Sequence, residues 1–271
     1  MEYQTIKGEK VASLGLGTYR LTGDACEVAV ERALEMGYRN VDTAQMYGNE
    51  TEVGRGIEGS SVDRGEIFLT TKVWPSDFAH DRVISKTRES LKKLRTDYVD
   101  LLLMHWPGDG VPLGETLGAM RELQDEDSVL HIGVSNFSPS LVEEATEHAE
   151  IFCNQVQYHP YRSQNALLDQ AQKLDYLLTA YTPLSRGGVQ GDATLREIGE
   201  AHGKTATQVA LRWLVQQEKV SAIPKATGED HLGENLDVFD FELTADEISA
   251  IDAMDAGDGS GRVSAHPDEV N

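Results

Sequence analysis

Four residues of this chain have the right types and spacing to act together on a carbonyl group: Asp42, Tyr47, Lys72 and His105. Three of them close apolar runs. Asp42 ends Tyr38-Arg39-Asn40-Val41-Asp42, Lys72 ends Ile67-Phe68-Leu69-Thr70-Thr71-Lys72, and His105 ends Val99-Asp100-Leu101-Leu102-Leu103-Met104-His105. Tyr47 follows Asp42 by five residues. If the runs are neighbouring parallel strands, an acid, a phenol, an ammonium and an imidazole emerge on one face. A carbonyl that accepts hydride at carbon needs a proton at oxygen. A tyrosine, with a pKa of about 10, is a reluctant donor at neutral pH, and a neighbouring ammonium is expected to lower that value. Lys72 supplies the charge, and Asp42 holds it in place and keeps it protonated. His105 donates a hydrogen bond that orients the substrate oxygen. Tyr47 is then the acid in reduction and the base in oxidation.

Each residue alone also has an ordinary reading. Asp42 or Thr43 after a strand can cap the next helix. Lys72 can be a surface lysine, Tyr47 a half-buried core phenol, and His105 a structural histidine. Four compatible residues at consecutive strand ends favour the functional reading over the four separate ones.

Stepping outward, the chain alternates apolar strands and amphipathic helices throughout. Strands are expected over 11–17, 40–42, 67–72, 98–105, 131–134, 154–157, 176–180 and 220–223. Helical patterns run over 25–36, 81–94 and 140–148, among others. Pro and Gly punctuate the junctions, as at Gly37, Trp106-Pro107, Ser138-Pro139 and Ile223-Pro224. Alternating βα units with right-handed crossovers imply a parallel sheet, and eight of them close into an α/β (β/α)8 TIM barrel, which takes about 250 residues. The 271 residues therefore read as a single barrel domain over 1–271. A doubly wound open sheet is the alternative. It calls for a glycine-rich first turn, of which Gly15-Leu16-Gly17 is only a fragment. Two helical segments, 192–202 and 206–217, separate the last two strands, so one is extra. The glycine-rich stretch after Met254 is expected to form an irregular C-terminal arm. A barrel places its active site at the C-terminal ends of the strands, where Asp42, Lys72 and His105 stand.

Composition narrows the partners. The formal charge of −22, from 46 acids against 24 bases, argues against nucleic-acid or anionic-membrane binding, which calls for basic patches. It raises the expectation of adaptation to high salt, where screening relieves self-repulsion; an ordinary solvated acidic surface is the alternative. No run approaches a membrane span, and the polar start Met1-Glu2-Tyr3-Gln4 carries no export pattern, so a cytoplasmic monomer is expected. Cys26 and Cys153 read as buried thiols, and no metal site is expected.

Several segments, in order along the chain, resemble those of the aldo-keto reductases. They are Asp42-Thr43-Ala44-Gln45-Met46-Tyr47-Gly48-Asn49-Glu50, Thr71-Lys72-Val73-Trp74, Leu103-Met104-His105-Trp106-Pro107, Gly133-Val134-Ser135-Asn136-Phe137, Asn154-Gln155-Val156-Gln157 and Ile223-Pro224-Lys225. Within that family, Lys93-Leu94-Arg95-Thr96-Asp97-Tyr98-Val99-Asp100-Leu101 and the stretch 259–269 are similar to the small prokaryotic members called 2,5-diketo-D-gluconate reductases.

The resemblance implies NADPH, or NADH, lying extended across the barrel mouth. It implies that Ser135, Asn136 and Gln157 hold the nicotinamide carboxamide, that Tyr181 stacks on the ring, and that Arg186 lies in the loop over the pyrophosphate. Lys225 matches a cation near the 2′-phosphate, and Glu234 and Asn235 match adenine contacts. Two positions depart from the pattern. Ala226 stands where a hydroxyl or amide is common, and His231 where an arginine clamps the phosphate. Imidazole offers no fixed charge and no bidentate fork, so a reduced margin of NADPH over NADH is expected.

Tyr19, Met46, Trp74 and Trp106 are expected to wall the substrate site. The short loop Gly108-Asp109-Gly110-Val111-Pro112 implies an open site for small aldehydes, α-dicarbonyls and keto-sugars. Three rival functions remain open: an alcohol or sugar dehydrogenase working mainly in the oxidative direction, a cofactor-binding regulatory barrel without turnover, and a metal-dependent barrel hydrolase using His105, Asp42 and His159.

Overall fold

The computed structural model describes residues 1–255 and Gly257. Two short strands, β1 (Tyr3–Ile6) and β2 (Glu9–Ala12), pair antiparallel. Eight more form a parallel sheet in sequential order: β3 (Leu16–Gly17), β4 (Asn40–Asp42), β5 (Phe68–Val73), β6 (Val99–Met104), β7 (Val129–Ser135), β8 (Ile151–Gln157), β9 (Leu177–Tyr181) and β10 (Val220–Ala222). The sheet curls until its edges meet. Gly15 N–H donates to Ala222 O at 2.8 Å, Ala222 N–H to Ser13 O at 2.9 Å, and Gly17 N–H to Pro224 O at 3.1 Å. Gly17 allows this closure, because a Cβ there would stand 2.5 Å from Ile223 O, while a Cβ on Gly15 would stand 2.8 Å from Asn40 of the adjoining β4.

Helices α1 (Gly23–Glu35), α2 (Glu50–Gly59), α3 (His80–Leu94), α4 (Leu113–Asp125), α5 (Pro139–Thr146) and α6 (Asn165–Leu174) connect successive strands. Between β9 and β10 lie two helices, α7 (Ala193–His202) and α8 (Ala206–Val215), which supplies the expected extra one. Their starts follow from capping chemistry: Asp192 accepts from Leu195 N–H, and Thr205 forms a reciprocal box with Gln208. The chain ends in α9 (Glu229–Leu236) and α10 (Ala245–Asp252). Asp255 accepts from Ser163 N–H at 2.8 Å and from its hydroxyl at 2.7 Å. The expected C-terminal arm otherwise lies outside the described residues.

The sheet is buried on both faces, which is why its strands read as continuous apolar runs. Outward-facing Leu69, Leu102 and Val134 belong to one large core shared with the helices. Inward-facing Phe68, Leu101, Leu103, Phe152, Cys153 and Leu177 form a second core inside the barrel.

One strand departs from expectation. The run 11–17 divides: Val11 and Ala12 belong to the hairpin, and only Leu16–Gly17 joins the barrel. Lys7 and Gly8 turn the hairpin with positive φ, as tight two-residue turns require. Ile6 and Val11 then plug the bottom of the inner core. The continuous apolar character of 11–16 hid a corner, because both halves are buried for different reasons.

Candidate active site

Strand register sets the heights of the three strand-end residues. Asp42 pairs in register with Thr70, so Lys72 stands on the same inward face, two residues higher. Lys72 pairs with Leu103, and His105 is again two residues on. Each strand thus lifts its polar residue one step further around the barrel mouth. Tyr47 comes from a 3-10 turn, Gln45–Tyr47, closed by Gly48 at φ 67°. Asn49 pins that turn: it accepts from the Thr43 hydroxyl at 2.7 Å and donates to Thr18 O and Leu21 O, both at 2.9 Å.

The Lys72 ammonium is fully buried and has three protons to place. It donates to Asp42 Oδ1 at 2.5 Å, to Thr43 O at 2.8 Å and to the Tyr47 hydroxyl at 3.4 Å. Asp42 Oδ2 accepts from Gln155 Nε2 at 2.7 Å. Burial pushes Asp42 up and Lys72 down, and each charge opposes the shift of the other. The aromatic walls close around the hydroxyl. Tyr19 lies 5.0 Å and His105 5.7 Å from the Tyr47 ring, and Trp74 stands edge-on to His105 at 5.1 Å, all between centroids.

The Tyr47 phenol behaves differently from the sequence expectation. Burial, reinforced by the Asp42 carboxylate and by Tyr181 and Tyr19, holds it well above the usual range. Lys72 at 3.4 Å does not reverse this, because its charge is already committed to Asp42. The phenol is therefore protonated at neutral pH, as a proton donor must be, but the raised value makes it a weaker acid until charge developing on its oxygen is met by Lys72.

A cavity of about 430 Å³ opens here, within the range for small-molecule sites. Asp42, Met46, Tyr47, His105, Trp106 and Tyr19 line it. Ser135, Asn136 and Tyr181 line it too, as do Lys225, His231, Glu234 and Asn235. Part of this lining is cross-braced. Asn136, at φ 65°, donates to His105 O at 3.1 Å and to Ser135 Oγ at 3.0 Å, and its Oδ1 accepts from the Tyr181 hydroxyl at 2.7 Å. Ser135 Oγ donates to Gln155 O at 2.7 Å. Beyond Tyr181 the loop carries Thr182, Ser185, Arg186 and Gly187 at positive φ, a run of left-handed residues that wraps it over the cavity.

Two expected residues fall elsewhere. The amide that lines the cavity is Gln155, not Gln157, which is buried against His159 at 3.0 Å. Both side chains point inward by the period of two, so spacing alone leaves open which one meets the cavity. Trp74 backs His105 but lines a neighbouring cavity instead of the main one. His231 is 71% exposed, with Nδ1 3.4 Å from Glu234 Oε2. Glu234 Oε1 accepts from the Thr205 hydroxyl at 2.8 Å, and the buried Tyr38 hydroxyl donates to Leu232 O of the same helix at 3.1 Å.

Chemically, the arrangement offers a proton at Tyr47, a polarising imidazole beside it, and a cavity that opens onto both. That cavity is lined by neutral amide and hydroxyl groups and by the cations Arg186 and Lys225. The donor set fits an extended nucleotide with a flat polar head and a phosphorylated tail. Among the described residues, no group of three or more His, Cys, Asp or Glu side chains is arranged to hold a metal ion.

A sequence profile described as "Aldo/keto reductase family" matches residues 13–256. Methylglyoxal reductase DkgB of Salmonella typhi is 40% identical over 253 residues, covering 92% of this chain and 94% of that protein. Glyoxal reductase of Bacillus subtilis is 38% identical over 266 residues, covering 97% and 95%. A crystal structure provisionally described as 2,5-diketo-D-gluconic acid reductase B superposes with a TM-score of 0.94 at 46% identity, covering 98% of this chain and 95% of the other.

Proposed function

The chain belongs to the Aldo/keto reductase family, and from that premise we propose that it reduces small aldehydes, α-dicarbonyls and keto-sugars to alcohols with NADPH, accepting NADH as well. The oxidoreductase class and the use of a nicotinamide cofactor follow from the family. The observation that carries the substrate chemistry is the chain from buried Asp42 and Lys72 to Tyr47, with links of 2.5 and 3.4 Å, ending on a phenol that opens into the cavity.

In this reading Tyr47 delivers its proton to the carbonyl oxygen. His105 donates a hydrogen bond to the same oxygen and fixes its direction. As the proton leaves, negative charge grows on the Tyr47 oxygen, and the Lys72 ammonium is already aimed at it. That interaction strengthens toward the transition state, which is what accelerates the step. Asp42 keeps Lys72 protonated in a site where burial would otherwise neutralise it. Tyr19, Met46 and Trp106 exclude water from the reacting oxygen.

Bound NAD(P)H supplies the hydride. Ser135, Asn136 and Gln155 would hold its carboxamide and Tyr181 would cover its ring. Arg186 would meet the pyrophosphate, and Lys225, His231, Glu234 and Asn235 the adenosine end. The same residues serve oxidation of an alcohol, with Tyr47 as base.

The decisive experiment replaces Tyr47 with Phe. Reduction of methylglyoxal and aromatic aldehydes should fall by about a thousandfold or more in kcat, while NADPH still quenches protein fluorescence. Surviving turnover would refute the proton-donor assignment. Retained nucleotide binding with no turnover by the unaltered protein on any carbonyl would favour a regulatory barrel.

A further inference from the structure

A second cavity, of about 230 Å³, adjoins the active site and has no part in the chemistry above. Met46 lines both cavities and so lies where they meet. Trp74, which backs His105, lines the second. A methionine side chain has three rotatable bonds and adapts readily to what lies beside it, so Met46 can yield to a substrate.

The rest of the lining is polar and comes mostly from α3. Gln45 Nε2 donates to Ser90 Oγ at 3.1 Å, and Ser90 Oγ donates to Lys86 O at 3.1 Å. Gln45 Oε1 is buried with no partner. A buried acceptor without a donor is costly, and a ligand hydroxyl would satisfy it. Lys86 and Lys93 both reach this cavity and share one carboxylate, Glu89, at 2.8 and 2.7 Å. Asp77 is engaged by Arg82 Nε at 2.8 Å. Within the lining, Lys86 and Lys93 thus share Glu89 alone, because Asp77 is taken up by Arg82 from outside it, while buried Glu50 lies behind Ser90.

We propose that this side cavity is a specificity site for the non-reacting end of the substrate, and that it takes a hydroxylated anionic tail, carboxylate or phosphate. Lys86 and Lys93 meet the anion, Gln45 Oε1 accepts from a tail hydroxyl, and Met46 shifts to let the chain pass. The carbonyl stays beside Tyr47 and His105. The inference rests on the carbonyl-reductase reading for the head of the substrate, but the tail site stands on its own residues.

The test compares matched aldehydes in the full-length protein at low ionic strength: butanal with succinic semialdehyde, and glyceraldehyde with glyceraldehyde 3-phosphate. In Lys86→Gln/Lys93→Gln, KM for the anionic members should rise by about tenfold while kcat and both neutral aldehydes hold steady. The single variants should each give part of that rise. A larger effect on the semialdehyde marks a carboxylate site, and a larger effect on the phosphate ester a phosphate site. Equal changes for anionic and neutral aldehydes, or none, would overturn the proposal. If the unaltered protein reduces none of the four, the reductase reading fails and the tail site is read directly. Gluconate and 3-phosphoglycerate should then shift tryptophan fluorescence saturably, and the double variant should lose that shift. No saturable response in the unaltered protein would sink the tail site as well.

Discussion

Gln155 Nε2 donates to Asp42 Oδ2 at 2.7 Å across the inside of the barrel, while the other carboxylate oxygen holds Lys72 at 2.5 Å. The same glutamine lines the cavity in which the nucleotide is proposed to lie. One amide therefore touches both the charge pair that supports Tyr47 and the space for the reductant.

Replacing Gln155 with Leu leaves one buried oxygen of Asp42 without its donor. We expect a stability loss of about 1–3 kcal/mol and weaker NADPH binding. Gln157→Leu should leave nucleotide binding nearly unchanged, because that amide faces His159. Fluorescence titration and denaturant melts of both variants check this. A larger binding defect in the Gln157 variant would reverse the assignment.

The pH dependence follows from the raised Tyr47 pKa. A general acid works while protonated, so reductive kcat/KM is present below its pKa and lost as pH rises through it. Burial lifts that pKa above the usual range, so reduction should stay level from about pH 6 to about pH 9. Oxidation needs the phenolate and should climb with pH over the same window. Initial rates in both directions decide, and a fall in reduction centred near neutrality would contradict the resting protonation described above.

We expect cofactor preference to depend on His231. It is exposed, carries no fixed charge and lies 3.4 Å from Glu234, a carboxylate that repels a phosphate. The kcat/KM ratio of NADPH to NADH should stay below about a thousandfold, roughly 4 kcal/mol. His231→Arg should widen it. A larger ratio in the unaltered protein would show that Lys225 discriminates alone.

The acidic surface predicts a salt response. Screening at multimolar KCl relieves repulsion within a chain of net −22. The melting temperature should rise from low to multimolar KCl. Equal or greater stability in low salt would point to an ordinary acidic surface.

Much of this molecule is written locally. Asp42, Lys72 and His105 close runs whose two-sided burial makes them read as parallel strands, and the eightfold alternation points to a barrel. Period-two alternation then puts all three residues on the inner face. The capping residues Asp192 and Thr205 likewise announce the paired helices before the last strand.

What only the tertiary structure decided is depth, closure and electrostatic environment. Whether Gln155 or Gln157 meets the cavity depends on strand height in the closed sheet, which no local spacing carries. The Val11–Gly17 run bends because closure needs Gly17 against Ile223, while Ile6 and Val11 must fill the barrel floor. Trp74 turns to the side cavity because His105 occupies the near face. The Tyr47 phenol is raised, not lowered, because desolvation sums over everything packed around it, whereas the sequence names only its charged partner. Residue types and their order specified the chemistry; the dielectric and the distances in which it operates came from the folded packing.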